Sequence, residues 1–398
     1  MDPVQVLVIV QDNTGPEAGT GGSNAGQFVA DYYMQQRNIP AANILHISTC
    51  VEKTGTGTCC APGESCDVYA SLSTNIAYST YLSAIQAPLV AKLNANSGAL
   101  ANSIHYIVTT YGVPLTIISR TVGPTTFTGL SIDSAIAALN QSVFSGFYSV
   151  NPYWASGGFG SPTSTPAHLI NMTLSPRWYS VTRLDGPSAM IATGLVDKAI
   201  FAERNGINAR AANSYFDWQG IGSVLNSGTQ NQRADATVLS ASNLCAAHPT
   251  WTCTLNNQAT SGHIITAYTK TLFAYGWYYE PNLINSFTAA SGAVAGLLVS
   301  DSGDKVRNAS ANTWVPYLLT RGVTATWGTT SEPFIDQFPI GNTILSHLWN
   351  GYPWGEAAYL GTPSTNWMSI FLGDPLYLPR FKGPSSIGKG VIFKGTLQ

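Results

Sequence analysis

Charge is what this sequence has least of: only 10% of its 398 residues are Asp, Glu, Lys or Arg, where about a quarter is usual. The 18 Lys and Arg are scattered and the formal net charge is −2, so no basic stripe exists to follow a phosphate backbone. Nucleic acid is excluded as a partner on that ground. Long apolar runs are missing too; the run at 293–299 falls far short of the roughly 18–20 residues that cross a bilayer, and no membrane span is expected. Histidine is scarce, with six in all. None follows directly on a run that reads as a strand, which leaves a Ser-His-Asp triad without an evident general base. His46 and His105 fall inside predicted strands and read as hydrogen-bonded structural residues. A charged, apolar, small-residue leader is absent as well: the chain begins Met-Asp-Pro directly before a strand, and we expect a secretion signal to have been removed ahead of it.

What is present is apolar substance without charge. At 44% apolar residues the chain can bury a large core, and its surface must be polar through hydroxyls and amides, which suits a secreted, periplasmic or cell-surface protein. The six cysteines stand in two places. Cys50, Cys59, Cys60 and Cys66 share a Gly/Thr-rich stretch, and Cys245 and Cys253 are eight residues apart. An even count in loops points to disulfides formed in an oxidising compartment, with Cys245 to Cys253 closing a short ring. Zinc competes for the first cluster, but it has no paired C-x-x-C knuckles and only His46 nearby.

Five apolar runs each end at a small or polar group: 6–10 at Gln11-Asp12-Asn13, 104–108 at Thr109-Thr110-Tyr111-Gly112, 215–216 at Asp217, 293–299 at Ser300-Asp301-Ser302, and 323–327 at Gly328-Thr329. Such runs predict an α/β fold with a mostly parallel sheet flanked by helices, whose carboxyl-end rim carries the working groups. Strands at 6–10, 44–47 and 104–108 alternate with helices at about 25–37 and 78–93. The second helix carries a stripe of Tyr81, Ile85, Leu89 and Leu93. Further helices are predicted near 131–139, 187–204, 313–320 and 342–349, and a strand at 214–216. No internal repeat is visible. The expected organisation is a single α/β domain, 1–398, with loop-rich insertions at about 48–77, 119–178 and 219–262.

From Ala293 onward the layout resembles the gingipain-type cysteine peptidases. The residues that carry this are the strand ending in small polar groups, Arg321-Gly322, the segment Val323-Thr324-Ala325-Thr326-Trp327-Gly328-Thr329-Thr330, Gly355-Glu356-Ala357, and Gly373-Asp374-Pro375-Leu376. The resemblance implies a caspase-like three-layer sandwich. The whole chain is also similar to an uncharacterised family of secreted bacterial proteins through Asp12-Asn13, Tyr106-Ile107-Val108-Thr109-Thr110-Tyr111-Gly112-Val113-Pro114, Ser131-Ile132-Asp133-Ser134, Thr182-Arg183-Leu184-Asp185-Gly186-Pro187 and Tyr215-Phe216-Asp217. The peptidases place His-Gly after the third strand and Cys after the fourth; here Tyr111-Gly112 and Val299-Ser300-Asp301 stand in those places, so the Cys/His dyad is lacking.

The carboxylates remain. Asp12, Asp301 and Glu332 each follow a predicted strand, and two carboxylates some 5 to 9 Å apart can divide acid and base roles. With Thr110, Tyr111 and Ser300 they form the expected catalytic set of a hydrolase acting on an extracellular glycan or peptide. Asn13, Arg183, Asp217, Tyr275 and Trp277 are the expected substrate-binding residues, the aromatics by offering flat faces. The alternative is a catalytically silent peptidase-like protein that binds a surface glycan or protein partner. No cofactor is expected, although Asp301, Ser302, Asp304 and Asp12 could offer oxygen ligands to Ca²⁺. Asp185 reads as a helix cap, and Glu356 and Asp374 as structural.

Overall fold

A computed structural model describes residues 2–12, 14, 17–49, 65–67, 72–140, 148–154, 178–222, 228–277 and 279–382. Its centre is a ten-stranded sheet. In chain order the strands are β1 (Val6–Gln11), β2 (Ile44–Ile47), β3 (Tyr106–Thr110), β4 (Ser180–Leu184), β5 (Asn213–Trp218), β6 (Thr252–Asn257), β7 (Ala267–Trp277), β8 (Ser286–Leu298), β9 (Ala325–Thr329) and β10 (Ser369–Leu372). Their spatial order is β6-β5-β7-β8-β9-β10-β4-β3-β1-β2. Both faces of the sheet are covered: every residue of β1, β3, β4 and β9 is buried.

Helices α1 (Ala25–Arg37), α2 (Ala87–Ser103), α3 (Ile132–Ala137), α4 (Ala189–Asn205), α5 (Gln230–Ala246), α6 (Trp314–Thr320), α7 (Gly341–Trp349) and α8 (Trp354–Leu360) flank the sheet. Local chemistry sets their ends. Asn24 caps α1 by accepting from the Gln27 amide, and Asn38 ends it with φ 54°, a left-handed turn that asparagine tolerates. A π-helical turn, Tyr81–Gln86, leads into α2, and its Tyr81 and Ile85 are buried as the stripe predicted. Gly26 lets α1 start hard against the sheet: a Cβ there would lie 2.8 Å from the Tyr111 carbonyl oxygen and 2.9 Å from that of Gln11.

Two stretches differ from the sequence expectation. Residues 219–262 hold α5 and the edge strand β6, so they extend the main sheet. The Cys245–Cys253 disulfide joins these two elements, with Cα atoms 6.1 Å apart. Residues 119–178 begin with a hairpin, Thr116–Val122 with Thr125–Ser131, inside a four-stranded side sheet that also takes Ser65–Asp67 and Leu72–Ile76. Cys50, Cys59 and Cys60 lie outside the described residues, and of Cys66 only its place in the Ser65–Asp67 strand is described.

The sheet repeats its own topology. The first four strands lie in the order β2-β1-β3-β4 and the next four in the order β6-β5-β7-β8, each set parallel throughout. β9 and β10 join the halves and are antiparallel to each other. β10 meets β4 at one bridge, Leu372 to Arg183, parallel in its hydrogen-bond pattern. The chain around that bridge nevertheless runs from Trp367, beside Ser131 and Ser134, to Asp374, which pairs with Arg37 at the end of α1. The carboxyl ends of both halves therefore share a rim, and Arg307 from the segment after β8 reaches Asp185 after β4.

Candidate functional site

Sharing a rim is not the same as sharing a pocket. Between β1 and β8 lie five inter-strand steps, roughly 24 Å at about 4.8 Å each, so Asp12 and Asp301 cannot act on one bond. Most of the other expected residues are sealed in. The Thr110 hydroxyl donates to the Ile9 carbonyl at 3.0 Å and is fully buried. Tyr111 is buried with its hydroxyl on Glu17 and the Arg307 guanidinium 5.6 Å above its ring. Burial, reinforced by Glu17, holds that phenol far above its ordinary pKa and excludes it as a base. Tyr275 and Trp277 are core residues: the Tyr275 hydroxyl meets Thr237 at 2.8 Å, and Trp277 Nε1 donates to Asp235 at 3.1 Å. Asp217 is buried and accepts from the Ile265 amide at 2.6 Å and Asn256 Nδ2 at 2.8 Å. Desolvation raises its pKa against those bonds. Asn13 lies outside the described residues.

Arg183 is no substrate ligand. It is wholly buried and makes a two-bond fork to Asp133 at 2.9 and 2.7 Å, a bond to Asp185 at 3.0 Å, and bonds to the carbonyls of Val113 and Pro114. Arg307 adds bonds to Asp185 at 3.1 and 2.7 Å and a third to Val113. Two arginines and two aspartates thus balance inside the rim and fix the turn after β3. Asp185 is this network's hinge, and Ser188 caps α4 in its place, accepting from the Ile191 amide at 3.2 Å. Asp374 behaves as expected, accepting from the Leu376 amide at 2.9 Å and pairing with Arg37. Glu356 accepts from the Tyr106 hydroxyl at 2.7 Å.

Among the described residues two places on the rim stay open. The first lies at the ends of β1 and β2, where Asp12 Oδ1 and His46 Nδ1 are 2.8 Å apart, with side chains 42% and 46% exposed. Adjacent parallel strands make the pair, since His46 stands in register with Val10 and the Asp12 amide bonds the Ile47 carbonyl at 2.9 Å. A carboxylate on Nδ1 orients the ring and leaves Nε2 to accept a proton. His46 also lines a shallow cleft of about 630 Å³ between α1 and β2. Gln27, Gln35 and Asn38 supply its amides and Met34, Ile39 and Ile44 its apolar floor. The sequence concealed this pair, because His46 falls within a strand and only the pairing register brings it to Asp12.

The second open place follows β8 and β9. There Asp301, at φ 54°, donates its amide to the Ser331 carbonyl at 3.1 Å, which sets Ser300, Asp301 and exposed Glu332 along one stretch of rim. Asp304 joins them. Burial and the nearby Asp301 charge push its carboxyl up to about 6 against the pull of Lys305, and its Oδ1 is buried with no hydrogen-bond partner among the described residues. Among the described residues no three His, Cys, Asp or Glu side chains come together as a metal site. The calcium expectation is thereby left without its ligand set.

No protein-family model matches the chain, and no curated protein matches it in sequence. Among solved structures it is similar to the Arg-specific cysteine proteinase gingipain R, at 12% identity over 95% of this chain and 79% of that one, with a TM-score of 0.45. It is similar also to the complex of RgpB pro- and mature domains from Porphyromonas gingivalis, at 12% identity, 94% and 80% coverage and a TM-score of 0.41. A third, described as a protease, gives 11% identity, 98% and 83% coverage and a TM-score of 0.42. Among the described residues no helix is long and apolar enough to cross a membrane.

Proposed function

We propose that the chain is a secreted hydrolase of an extracellular polymer, and that its general base is His46 held by Asp12. The observation that carries this reading is the 2.8 Å Asp12–His46 pair beside the α1–β2 cleft. His46 Nε2 takes a proton from water as the water attacks the scissile carbonyl; the C–N bond breaks, and the proton passes to the leaving amine. Asp12 keeps the ring in the tautomer with Nδ1–H and stabilises the imidazolium that forms. The Cys245–Cys253 disulfide supports an oxidising compartment.

A peptide suits the cleft better than a glycan. Its walls offer amides without the aromatic platform a sugar face needs, because Tyr275 and Trp277 are in the core. Among the described residues β2 is the last strand of the sheet, and an extended peptide can pair with such an edge. Turnover of fluorogenic peptides should fall by about 10²–10⁴-fold in His46→Gln and similarly in Asp12→Asn, with folding unchanged. Turnover that survives both substitutions would reject the pair as the catalytic base, and turnover confined to labelled oligosaccharides would replace the substrate class.

A second reading rests on Asp304, whose carboxyl is held up to about 6 beside Asp301. On that reading the β8–β9 rim supplies the acid and base. It predicts activity that persists in His46→Gln and disappears in Asp304→Asn.

A further inference from the structure

The Asp12–His46 pair is open to water, and an exposed pair of this kind is too weak to fix two side chains by its own attraction. Its 2.8 Å contact therefore depends on the backbone that carries it. That backbone lies at a margin, since among the described residues β2 is the last strand of the sheet. The last register pair of the β1–β2 ladder is Gln11 with Ile47, and one further bond, from the Asp12 amide to the Ile47 carbonyl at 2.9 Å, continues it. Past that point the Gln11 side chain joins the two segments. Gln11 ends a strand of five apolar residues and is wholly buried. Its Oε1 accepts from the Thr49 amide at 3.2 Å and the Thr49 hydroxyl at 2.8 Å. Its Nε2 donates to the Asp12 carbonyl at 2.9 Å and to the Thr49 carbonyl at 3.4 Å.

Alternation along β1 puts Gln11 on the face away from Val10 and its register partner His46. The buried amide thus grips Thr49 and the Asp12 main chain from behind, and bonds neither the carboxylate nor the imidazole. We propose that Gln11 is the positioning residue of the Asp12–His46 pair: by tying the segment after β2 to the Asp12 carbonyl, it sets the approach of the carboxylate to Nδ1. An apolar side chain of the same length fills the space and ties nothing, so the end of β2 is left to the Asp12–Ile47 bond and the pair loosens. The inference rests on the hydrolase reading for its kinetic consequence, but the state of the His46 ring is read without any substrate.

The experiment is nitrogen NMR of the whole chain, isotope-labelled at histidine and held at alkaline pH so that imidazoles are neutral, alongside turnover of fluorogenic peptides. The His46 signal, identified as the one that His46→Gln removes, should report the Nδ1–H tautomer in the wild-type chain. Gln11→Met should move it toward the Nε2–H form that an unconstrained imidazole prefers, and should lower kcat about 10²-fold with KM changed less than about twofold. Thr49→Val removes one of the bonds to Gln11 and should move the ring part of the way, which decides the matter should Gln11→Met fail to fold. A wild-type ring state in Gln11→Met, or in Thr49→Val where the first variant does not fold, would overturn the assignment. A shifted ring with undiminished turnover would uphold the role of Gln11 and reject His46 as the base. A wild-type ring already in the Nε2–H form would overturn both.

Discussion

The two halves of the sheet share one strand order and treat the same carboxylate oppositely. In the first half Asp12, at the end of β1, stays in solvent contact and meets His46 from the neighbouring β2. In the second half Asp217, at the end of β5, is buried and meets Asn256 from the neighbouring β6. A histidine can take and return a proton, and an amide cannot. At the fourth strands the roles reverse: Asp185 is locked by Arg183 and Arg307, whereas Asp301 and Asp304 remain on open rim. One topology thus holds both a braced and a solvent-facing carboxylate, and solvent access with the partner's type sets them apart.

Breaking the sealed side should cost the most. Arg183→Leu leaves the buried Asp133 without its ion pair and Asp185 with Arg307 alone, and should destabilise the chain by about 3–5 kcal/mol in denaturant unfolding; a loss below about 1 kcal/mol would show that water reaches Asp133. The contrast at the first strands is sharper if tested as a pair. Asp217→Asn places an amide among donors and should cost about 1–3 kcal/mol, while Asp12→Asn should change stability by less than about 0.5 kcal/mol. Equal losses would erase the distinction between a bracing and a solvent-facing aspartate.

A further effect, smaller than the loss of Arg183, is a dependence on pH. The Asp304 carboxyl titrates near 6 in the folded chain against 3.8 ordinarily. Between those values the folded state holds more proton than the unfolded one, so stability should decline as pH rises from about 4 to 6. With a side chain 30% exposed, Asp304→Asn should flatten that slope and stabilise the chain at neutral pH by only about 1 kcal/mol. An unchanged slope in the variant would place the titrating group elsewhere.

Much of the fold was legible. The apolar runs marked β1, β2, β3 and β9 to within a few residues and the carboxyl-terminal half of β8, and the Tyr81, Ile85, Leu89 stripe marked its helix. Residues 219–262 were misread because α5 buries small and polar groups, Ala234, Asp235, Ala236 and Thr237, in place of a leucine stripe. A signal was there in Thr229-x-x-Gln232, a capping box that both side chains complete. The repeat was illegible because strand order leaves no mark on composition. Of the expected site residues, Asp12, Ser300, Asp301 and Glu332 are on the rim, while Thr110, Tyr111, Arg183, Asp217, Tyr275 and Trp277 are enclosed, because burial depends on neighbours that a strand's own sequence does not name.

Sequence alone determined that this chain would build a broad, mostly parallel sheet with its polar groups at strand ends, because period, run length and turn chemistry are local properties of a chain. Which strand lies beside which, and in what register, was decided only by tertiary packing. That decision carried His46 to Asp12, drove Arg183 and Arg307 between two aspartates, and set Asp12 five strands from Asp301. Proton transfer and charge compensation act over a few ångströms, and distances of that size are set by neighbours in space.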